Sequence, residues 1–351
     1  MGLLTAREFI QAGLKTSLID QNAIGQEASW AGGGILSPLY PWNQADAITH
    51  LIKNSANSYP KIVNDLQECT GIDSEFIRCG MLTLKIPNTE TALDWCNRFN
   101  VSICEAPKSE ITASINHLNI DIGNALWMPE VAQIRNPLFI KALRAELISL
   151  GLSLYEHCRV TQLVCADDKI HTIKTSRGNF TCNQTVLTAG AWLNQLISEN
   201  WQDVRIEPIK GQMLLYKAKP DLIPTIILSE DRYLIPRKDG CILVGSTVER
   251  SQFNKSTSDN ARRSLQSFAI SLVPALAEYP LSAQWAGLRP HAQSGIPYIS
   301  QHPTITNLFV NCGHFRNGIA AAPASAQLIA DLALGRNPSI RATDYASDAP
   351  R

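Results

Sequence analysis

Residues 1–20, MGLLTAREFIQAGLKTSLID, contain the pattern that decides the fold. Apolar residues recur at helical spacing from residue 2 to residue 12, and Gly13 follows as a candidate helix end. Residues 14–20 then read as a buried strand that ends in an acid. Helix, glycine turn, strand and acid are the second half of a βαβ unit that binds a dinucleotide. The stretch therefore predicts an α/β fold with a Rossmann-like domain.

Gly2 and Asp20 stand where such a unit needs them. Gly2 occupies the place of the third glycine of G-x-G-x-x-G, and Asp20 the place of the acid that binds a ribose hydroxyl. By itself this is a weak signal, because an Asp after a buried strand is often a turn residue. The strand and the two glycines that should precede Gly2 are missing from the sequence. We therefore expect Met1 to be an internal residue of a longer protein, so that this truncated chain binds its nucleotide weakly.

Composition excludes several classes of protein. The 351 residues leave room for two domains, and 31 Lys and Arg balance 31 Asp and Glu, so there is no basic excess for a nucleic acid or a membrane surface. The nine cysteines are scattered and the seven histidines dispersed, which predicts reduced thiols and no metal site. Neither a signal peptide nor an apolar run of about 18 residues is present. The sequence predicts a cytoplasmic protein.

The remaining pattern predicts a second, antiparallel sheet. Helices are expected at residues 44–70, 137–151, 257–278 and 317–335, and a strand at 79–86. A meander of three strands covers residues 159–182 and leads to a hydrophobic strand and TAGAW, a crossover typical of FAD-binding domains. Short strands follow at 209–218 and 233–249, with a hairpin at Lys238, Asp239 and Gly240.

Four stretches carry a family resemblance. They are GQEASWAGGGILSP (25–38), DRYLIPR (231–237), WAGLRP (285–290) and GHFRNGIAAAPASA (313–326), and QIRNPLFIKAL (133–143) extends the match over nearly the whole chain. In this order and spacing they resemble the D-amino-acid oxidase family of FAD-dependent flavoproteins, in particular the glycine oxidases of thiamine biosynthesis. The last two stretches are the most specific.

The resemblance implies a fold, a cofactor and a reaction. It implies an FAD-binding Rossmann-like domain at residues 1–77, 130–202 and 285–345, with an inserted antiparallel-sheet substrate domain at 78–129 and 203–284. The reaction would be oxidative deamination of glycine or other small amino acids by FAD and dioxygen, with hydrogen peroxide as a product, supplying the thiazole of thiamine. The implied partners are the amino acid and dioxygen, with a homo-oligomer possible.

The resemblance also assigns roles to residues. Arg289 and Tyr233 would bind the substrate carboxylate, since a guanidinium can grip a carboxylate with two charge-assisted hydrogen bonds. Arg316 would face both substrate and flavin, next to a helix start whose partial positive charge suits an anionic reduced flavin. The small residues of SWAGGG suit a loop close to pyrophosphate and flavin. The implied FAD-binding residues are Gly2, Asp20, Ser29, Ala31, Gly32, Gly33, Val160, Thr188, Ala189, Gly190, Trp192, Gly313, His314, Phe315, Arg316, Asn317, Gly318 and Ile319.

The sequence departs from the family pattern at two positions, and it is compatible with two alternative functions. Asp231 stands where a glycine oxidase of this family has a histidine, and Val248 where it has a methionine, so the preferred amine is undetermined. One alternative is a D-amino-acid dehydrogenase that passes electrons to a quinone. The other is a non-catalytic remnant that has lost FAD. Each of the assigned residues also has an ordinary structural interpretation, for example an interdomain ion pair for Arg289 or a strand aromatic for Tyr233.

Overall fold

The computed structural model describes residues 1–109, 111, 115, 118, 123–197, 201 and 203–349. Residue 202, the predicted end of one FAD-domain segment, and part of the 78–129 segment lie outside the described residues. The helices are α1 (Gly2–Gln11), α2 (Ala28–Ala31), α3 (Asp46–Thr70), α4 (Glu90–Phe99), α5 (Asn136–Ser149), α6 (Asp259–Leu272) and α7 (Ala322–Ala333).

The strands fall into three groups along the chain. The first group is β1 (Ser17–Ile19), β2 (Ile77–Arg78), β3 (Met81–Leu84), β4 (Cys104–Glu105), β5 (Leu126–Met128) and β6 (Ala132–Gln133). The second is β7 (Ser153–Tyr155), β8 (Val160–Ala166), β9 (Lys169–Thr175), β10 (Gly178–Phe180) and β11 (Thr185–Leu187). The third is β12 (Ile206–Lys217), β13 (Ile226–Ser229), β14 (Arg232–Pro236), β15 (Cys241–Gly245), β16 (Glu249–Arg250), β17 (Leu281–Ala292), β18 (Tyr298–Gln301) and β19 (Leu308–Cys312).

The helix–glycine–strand prediction for residues 1–20 is confirmed. Helix α1 buries Leu3, Leu4 and Ala6 against α3 and α5, and Gly13 follows its end with a left-handed φ of +83°. Strand β1 pairs in parallel with β7, and β11 pairs in parallel with β19. Among the described strands these two parallel pairs are separate sheets. The Cα of Gly2 lies between them, because a Cβ there would be 3.0 Å from Thr188 Oγ1 and 3.4 Å from Leu18 Cδ1.

The predicted meander is confirmed as the antiparallel sheet β10-β9-β8. Its first turn places Asp167 and Asp168 at φ of +49° and +54°, the conformation that tight hairpin turns require and that Asp tolerates. The second turn ends at Gly178, with φ of +112°. Local turn chemistry therefore accounts for the crossover.

Nine of the described strands form one large sheet in the order β16-β12-β15-β14-β13-β3-β5-β4, with β17 also paired to β12. Side chains alternate between its two faces, as the period of two in a strand requires. Leu234 faces a core that includes Leu265 and Ala269 of α6, whereas Tyr233 and Ile235 face the opposite side. This alternation directs Tyr233 away from α6. The predicted hairpin is confirmed, with Gly240 at φ of +83° between β14 and β15.

Two helix predictions are wrong at their ends. The helix expected at 257–278 ends at Leu272 and continues only as a 3-10 turn, Pro274–Glu278, because Pro274 cannot supply a helical N–H. The helix expected at 317–335 becomes α-helical only at Ala322, after a 3-10 turn at Phe315–Asn317. Pro323 lies in the first turn of α7, where a proline is well tolerated.

No helix among the described residues is long and apolar enough to cross a membrane. All nine cysteines lie within the described residues, and all are free.

Candidate active site

One cavity of about 1440 Å³ runs between the Rossmann-like part of the chain and the nine-stranded sheet. Its volume exceeds the roughly 300–1,000 Å³ usual for small-molecule sites, so it has room for a dinucleotide together with a small substrate. The cavity brings together almost every residue that the sequence assigned to the site. Those that line it are Gly2, Asp20, Ser29, Ala31, Gly32, Gly33, Val160, Thr188, Ala189, Gly190, Trp192, Tyr233, Arg289, His314, Phe315, Arg316, Asn317, Gly318 and Ile319. Gly313 and Val248 are not part of this lining, and the Val248 side chain is exposed.

Strand β17 carries Arg289 to the cavity wall, opposite Ile209 of β12. Its Nη2 donates to Ser246 Oγ at 2.7 Å, and its Nη1 donates to the Thr247 carbonyl oxygen at 3.2 Å. These two bonds use two of the five N–H groups of the guanidinium, which leaves donors for a ligand. Desolvation lowers the pKa of Arg289, and Tyr233 opposes that change. Because a guanidinium stays protonated in proteins, Arg289 is nevertheless a cation, and its two hydrogen bonds hold it at the cavity wall.

Tyr233 lies beside Arg289, and its hydroxyl has only a weak acceptor. The side chain is buried, and the hydroxyl donates to Met213 Sδ at 3.5 Å. A thioether accepts hydrogen bonds poorly, so a carboxylate oxygen would be a better partner for this hydroxyl. The pair can therefore hold a carboxylate from two sides.

Gly211 of β12 gives the Arg289 guanidinium its space. A Cβ at Gly211 would lie 2.1 Å from Arg289 Nη2, which no side chain could tolerate without movement of the arginine. Position 211 therefore requires glycine, because the Arg289 guanidinium occupies the space that a side chain would fill.

Arg316 reaches the same cavity from the 3-10 turn at Phe315–Asn317. Its guanidinium carbon lies 5.6 Å from the centre of the Phe315 ring, and its Nη1 lies 3.6 Å from Asp231 Oδ1. Its Nε is buried and has no hydrogen-bond partner among the described residues. Because α7 begins only at Ala322, the local positive charge beside this turn comes from Arg316 and turn amides rather than from the first turn of an α-helix.

His314 is a buried, hydrogen-bonded histidine of the cavity wall. Its ring is buried, and Nε2 lies 3.0 Å from Ser325 Oγ. Burial lowers the pKa of His314 to about 3, so the imidazole is neutral at physiological pH. Its contribution is to position the turn that carries Arg316.

The short helix α2 and the glycines that follow it, together called the glycine loop, are held by side chains to which the sequence assigned no role. Asn136 Nδ2 donates to the carbonyl oxygens of Ser29 at 2.8 Å and Gly32 at 3.1 Å. Arg237 Nη2 donates to the Gly33 carbonyl oxygen at 2.7 Å, and Trp285 Nε1 donates to the Ala31 carbonyl oxygen at 3.0 Å. The three side chains lie in the stretches QIRNPLFIKAL, DRYLIPR and WAGLRP, so their positions in the family pattern were the available signal.

The residues around the loop fit a flavin dinucleotide. A Cβ on Gly33 would lie 2.6 Å from Ile235 Cδ1, and one on Gly287 would lie 2.5 Å from the Cβ of Ala31. The two glycines therefore let loop and sheet approach closely on one side of the cavity.

At the end of β1, Asp20 Oδ1 accepts from the Asn22 amide at 2.9 Å, and burial raises the pKa of this carboxyl.

We expect Asn136→Ala to weaken FAD binding. The substitution removes one amide and leaves two loop carbonyls without their donor, a loss that typically costs about 1–3 kcal/mol when the groups are buried. The dissociation constant of FAD, measured by fluorescence titration of the apoprotein, should rise about tenfold or more. Asn54→Ala, which removes an exposed helix-surface amide bonded to the His50 carbonyl, is the matched control. Equal FAD affinities for the two variants would contradict the assigned role of Asn136.

Comparisons with known proteins show the family of this chain. The family model described as FAD dependent oxidoreductase (DAO) matches residues 1–332. The chain is 42% identical over 347 residues to a glycine oxidase of Pseudomonas aeruginosa, which covers 99% of this chain and 95% of the relative. A glycine oxidase of Pseudomonas putida is 39% identical, over 99% of this chain and 96% of the relative. These alignments do not support the expected truncation.

The fold is also that of a solved structure. The crystal structure of glycine oxidase from Geobacillus kaustophilus superimposes with a TM-score of 0.92, covering 100% of this chain and 96% of that one at 24% sequence identity. The predicted fold class, a mixed α/β fold with an antiparallel-sheet domain, is thereby confirmed.

Proposed function

The chain belongs to the FAD-dependent oxidoreductase family, and we propose that it is a glycine oxidase that acts on glycine and other small amino acids. The observation that carries this proposal is the position of Arg289 and Tyr233. Both line the same cavity as the glycine loop. Arg289 keeps unused N–H groups for a carboxylate, and the Tyr233 hydroxyl could exchange its weak thioether acceptor for a carboxylate oxygen. An amino acid held there by its carboxylate would present its Cα toward the loop that holds the cofactor.

The proposed reaction balances as glycine, dioxygen and water giving 2-oxoacetate (glyoxylate), ammonia and hydrogen peroxide. Bound FAD would supply a two-electron acceptor for the one hydride equivalent that leaves the amino acid, and dioxygen would take up the same two electrons as hydrogen peroxide. The residues supply orientation: Arg289 and Tyr233 fix the carboxylate, which restricts the amine and Cα to one direction. Burial lowers the pKa of His314 to about 3 and its Nε2 is engaged with Ser325, so it is a poor proton acceptor; we infer that the amine arrives neutral and that no histidine acts as a base at Cα.

We also propose the division of labour between two domains that the sequence suggests. Residues 1–77, 130–202 and 285–345 would bind FAD, and residues 78–129 and 203–284 would bind the substrate. The nine-stranded sheet supports this division, because its strands from β3 to β5 and from β12 to β16 lie in the second set. Strand β17, Leu281–Ala292, crosses the 284/285 boundary and carries Arg289 from the substrate sheet to the cofactor side.

The proposed setting follows from the same resemblance. The 2-oxo acid or its imine would supply the thiazole of thiamine in the cytoplasm, where free cysteines persist. A homo-oligomer would leave the cavity chemistry of a single chain unchanged, since the residues that define the clamp all come from one chain.

The deciding experiment is anaerobic addition of glycine to the purified protein loaded with FAD. We expect the visible flavin absorption to bleach, then to return on admission of dioxygen with one hydrogen peroxide formed per glycine consumed. Methylamine, which has an amine but no carboxylate, is the matched control and should not bleach the flavin. Bleaching that only a quinone reverses would favour a dehydrogenase, and failure to bind FAD at all would favour a non-catalytic protein.

A further inference from the structure

An ion pair between Asp231 and Arg316 lies at the edge of the cavity. The Arg316 side chain is 21% exposed and lines the cavity, whereas the Asp231 side chain is 79% exposed and does not line it. Asp231 Oδ1 lies 3.6 Å from Arg316 Nη1. The cation therefore faces the substrate space while its partner faces solvent, so the aspartate acts on a ligand through the arginine.

The position of Asp231 is set by the turn between β13 and β14. The Tyr40 hydroxyl donates to the Glu230 carbonyl oxygen on one side of Asp231. On the other side, Arg232 donates to the carbonyl oxygen and hydroxyl of Ser264 at 3.0 Å and 2.9 Å. The pKa of Tyr40 is raised to about 12. Burial is the main cause, and the nearby Asp231 and Glu230 carboxylates add to the rise, since the acidic turn lies next to this phenol. The aspartate is thus anchored in front of Arg316.

Two guanidiniums therefore share one cavity, and they differ in their partners. Arg289 is bonded to neutral groups, Ser246 and the Thr247 carbonyl, and keeps its full charge for a substrate carboxylate. Desolvation is the main cause of the lowered pKa of Arg289. Tyr233 raises this pKa, and the nearby Arg316 cation lowers it. A substrate with one carboxylate needs only Arg289. A second carboxylate would have to reach Arg316, where Asp231 already supplies the opposite charge.

We propose that Asp231 is a specificity-determining residue that neutralises Arg316 and so restricts the site to amino acids with a single carboxylate. The proposal rests on the proposed oxidase function, since it concerns the substrate space next to Arg289. A substrate with a second anionic group meets the exposed Asp231 carboxylate at the rim and would have to displace it from Arg316. A neutral residue at position 231 leaves Arg316 available for that group. The pairing of Arg316 with Asp231 is the excluding element, because it leaves a second carboxylate without a free cation, and specificity between similar ligands often requires an element of this kind.

The test compares two isosteric substrates that differ in charge, D-aspartate and D-asparagine, in wild-type holoenzyme and in Asp231→Asn. We expect the ratio of kcat/KM for D-aspartate to that for D-asparagine to rise at least tenfold in the variant. Glu230→Gln is the matched control, because Glu230 is the neighbouring exposed carboxylate and pairs with Lys85 at 3.6 Å, outside the cavity. Its ratio should equal that of the wild type. An unchanged ratio in Asp231→Asn, or the same rise in Glu230→Gln, would overturn the proposal.

A second variant shows whether the effect passes through Arg316. In Asp231→Asn combined with Arg316→Gln the gain for D-aspartate should disappear, and a gain that persists would contradict the role of Arg316. Binding of malonate and of its half-amide, malonamate, followed by the change in flavin absorption, tests the same selectivity without turnover. If no amine is oxidised but Asp231→Asn still lowers the dissociation constant of malonate at least tenfold relative to that of malonamate, the proposed reaction is wrong and the proposed selection against a second carboxylate is supported. An unchanged ratio of the two dissociation constants overturns the selection itself.

Discussion

Replacing Arg289 by alanine is expected to lower kcat/KM for glycine by a factor of about 30 to several thousand while leaving FAD bound. This range corresponds to the roughly 2–5 kcal/mol lost when one partner of a buried, charge-assisted pair is removed. The alanine removes the cation that holds the carboxylate, and it also frees Ser246 Oγ and the Thr247 carbonyl from their donor. Stopped-flow reduction by glycine and the flavin spectrum of the purified variant measure the two parts of this prediction.

Two control variants define what the Arg289→Ala result means. Arg289→Lys keeps the charge but loses the planar fork, so its activity should fall between wild type and alanine. Arg250→Ala removes an arginine whose side chain is 81% exposed and which pairs with Glu207, and neither residue lines the cavity, so its activity should match the wild type. Wild-type kinetics in Arg289→Ala would remove this arginine from the substrate site.

Gly34→Ala is expected to destabilise the protein far more than Gly13→Ala does. The two glycines have nearly the same left-handed backbone, with φ of +79° and +83°. An alanine at either position therefore costs roughly 1–2 kcal/mol of stability through its backbone conformation alone. They differ in space: a Cβ on Gly34 would lie 2.0 Å from the Ile134 carbonyl oxygen and 2.8 Å from Asn136 Oδ1, whereas one on Gly13 meets nothing within 4 Å. Forcing the extra methyl into the packed site adds about 1–3 kcal/mol.

We therefore expect the free energy of unfolding to fall by about 2–5 kcal/mol in Gly34→Ala and by about 1–2 kcal/mol in Gly13→Ala. Gly34→Ala should also lose FAD affinity, because the movement that relieves the clash displaces the loop held by Asn136. Urea unfolding of both variants, with FAD titration alongside, gives the comparison. Equal stabilities of the two variants would show that backbone conformation, and not contact with Ile134, explains Gly34.

The sequence predicted the elements around the site well because their signals are local. The α1–Gly13–β1 unit, the meander with turns at Asp167 and Asp168, and the hairpin at Gly240 all follow from residues within a few positions of one another. The end of α6 at Leu272 and the start of α7 at Ala322 were predicted wrongly. The apolar pattern continues past both positions and predicts helix there, whereas Pro274 and Pro323 limit where a helix can run.

The candidate site was predicted residue by residue through the family resemblance, but not its internal contacts. Arg289, Tyr233 and Arg316 line one cavity as expected. The sequence did not indicate that Ser246 and Thr247 would hold Arg289, or that the acceptor of Tyr233 would be a methionine sulfur. No short-range pattern encodes these pairs, because Tyr233 and Met213 come from different strands, and Ser246 and Thr247 lie in the link between β15 and β16, far from Arg289 in the sequence.

Residue order along short stretches was sufficient for the α/β class and the antiparallel sheet, since helix, strand and turn propensities act over a few residues. The candidate site residues came from the family resemblance. Tertiary structure alone decided which of these residues work together. Asn136 meets Ser29 across 107 positions and Arg237 meets Gly33 across 204, and Asp231 meets Arg316 only because a hairpin turn of the large sheet packs beside the turn before α7. Contacts of this kind depend on the global packing of sheets and helices, whose geometry is set by long-range burial rather than by local sequence.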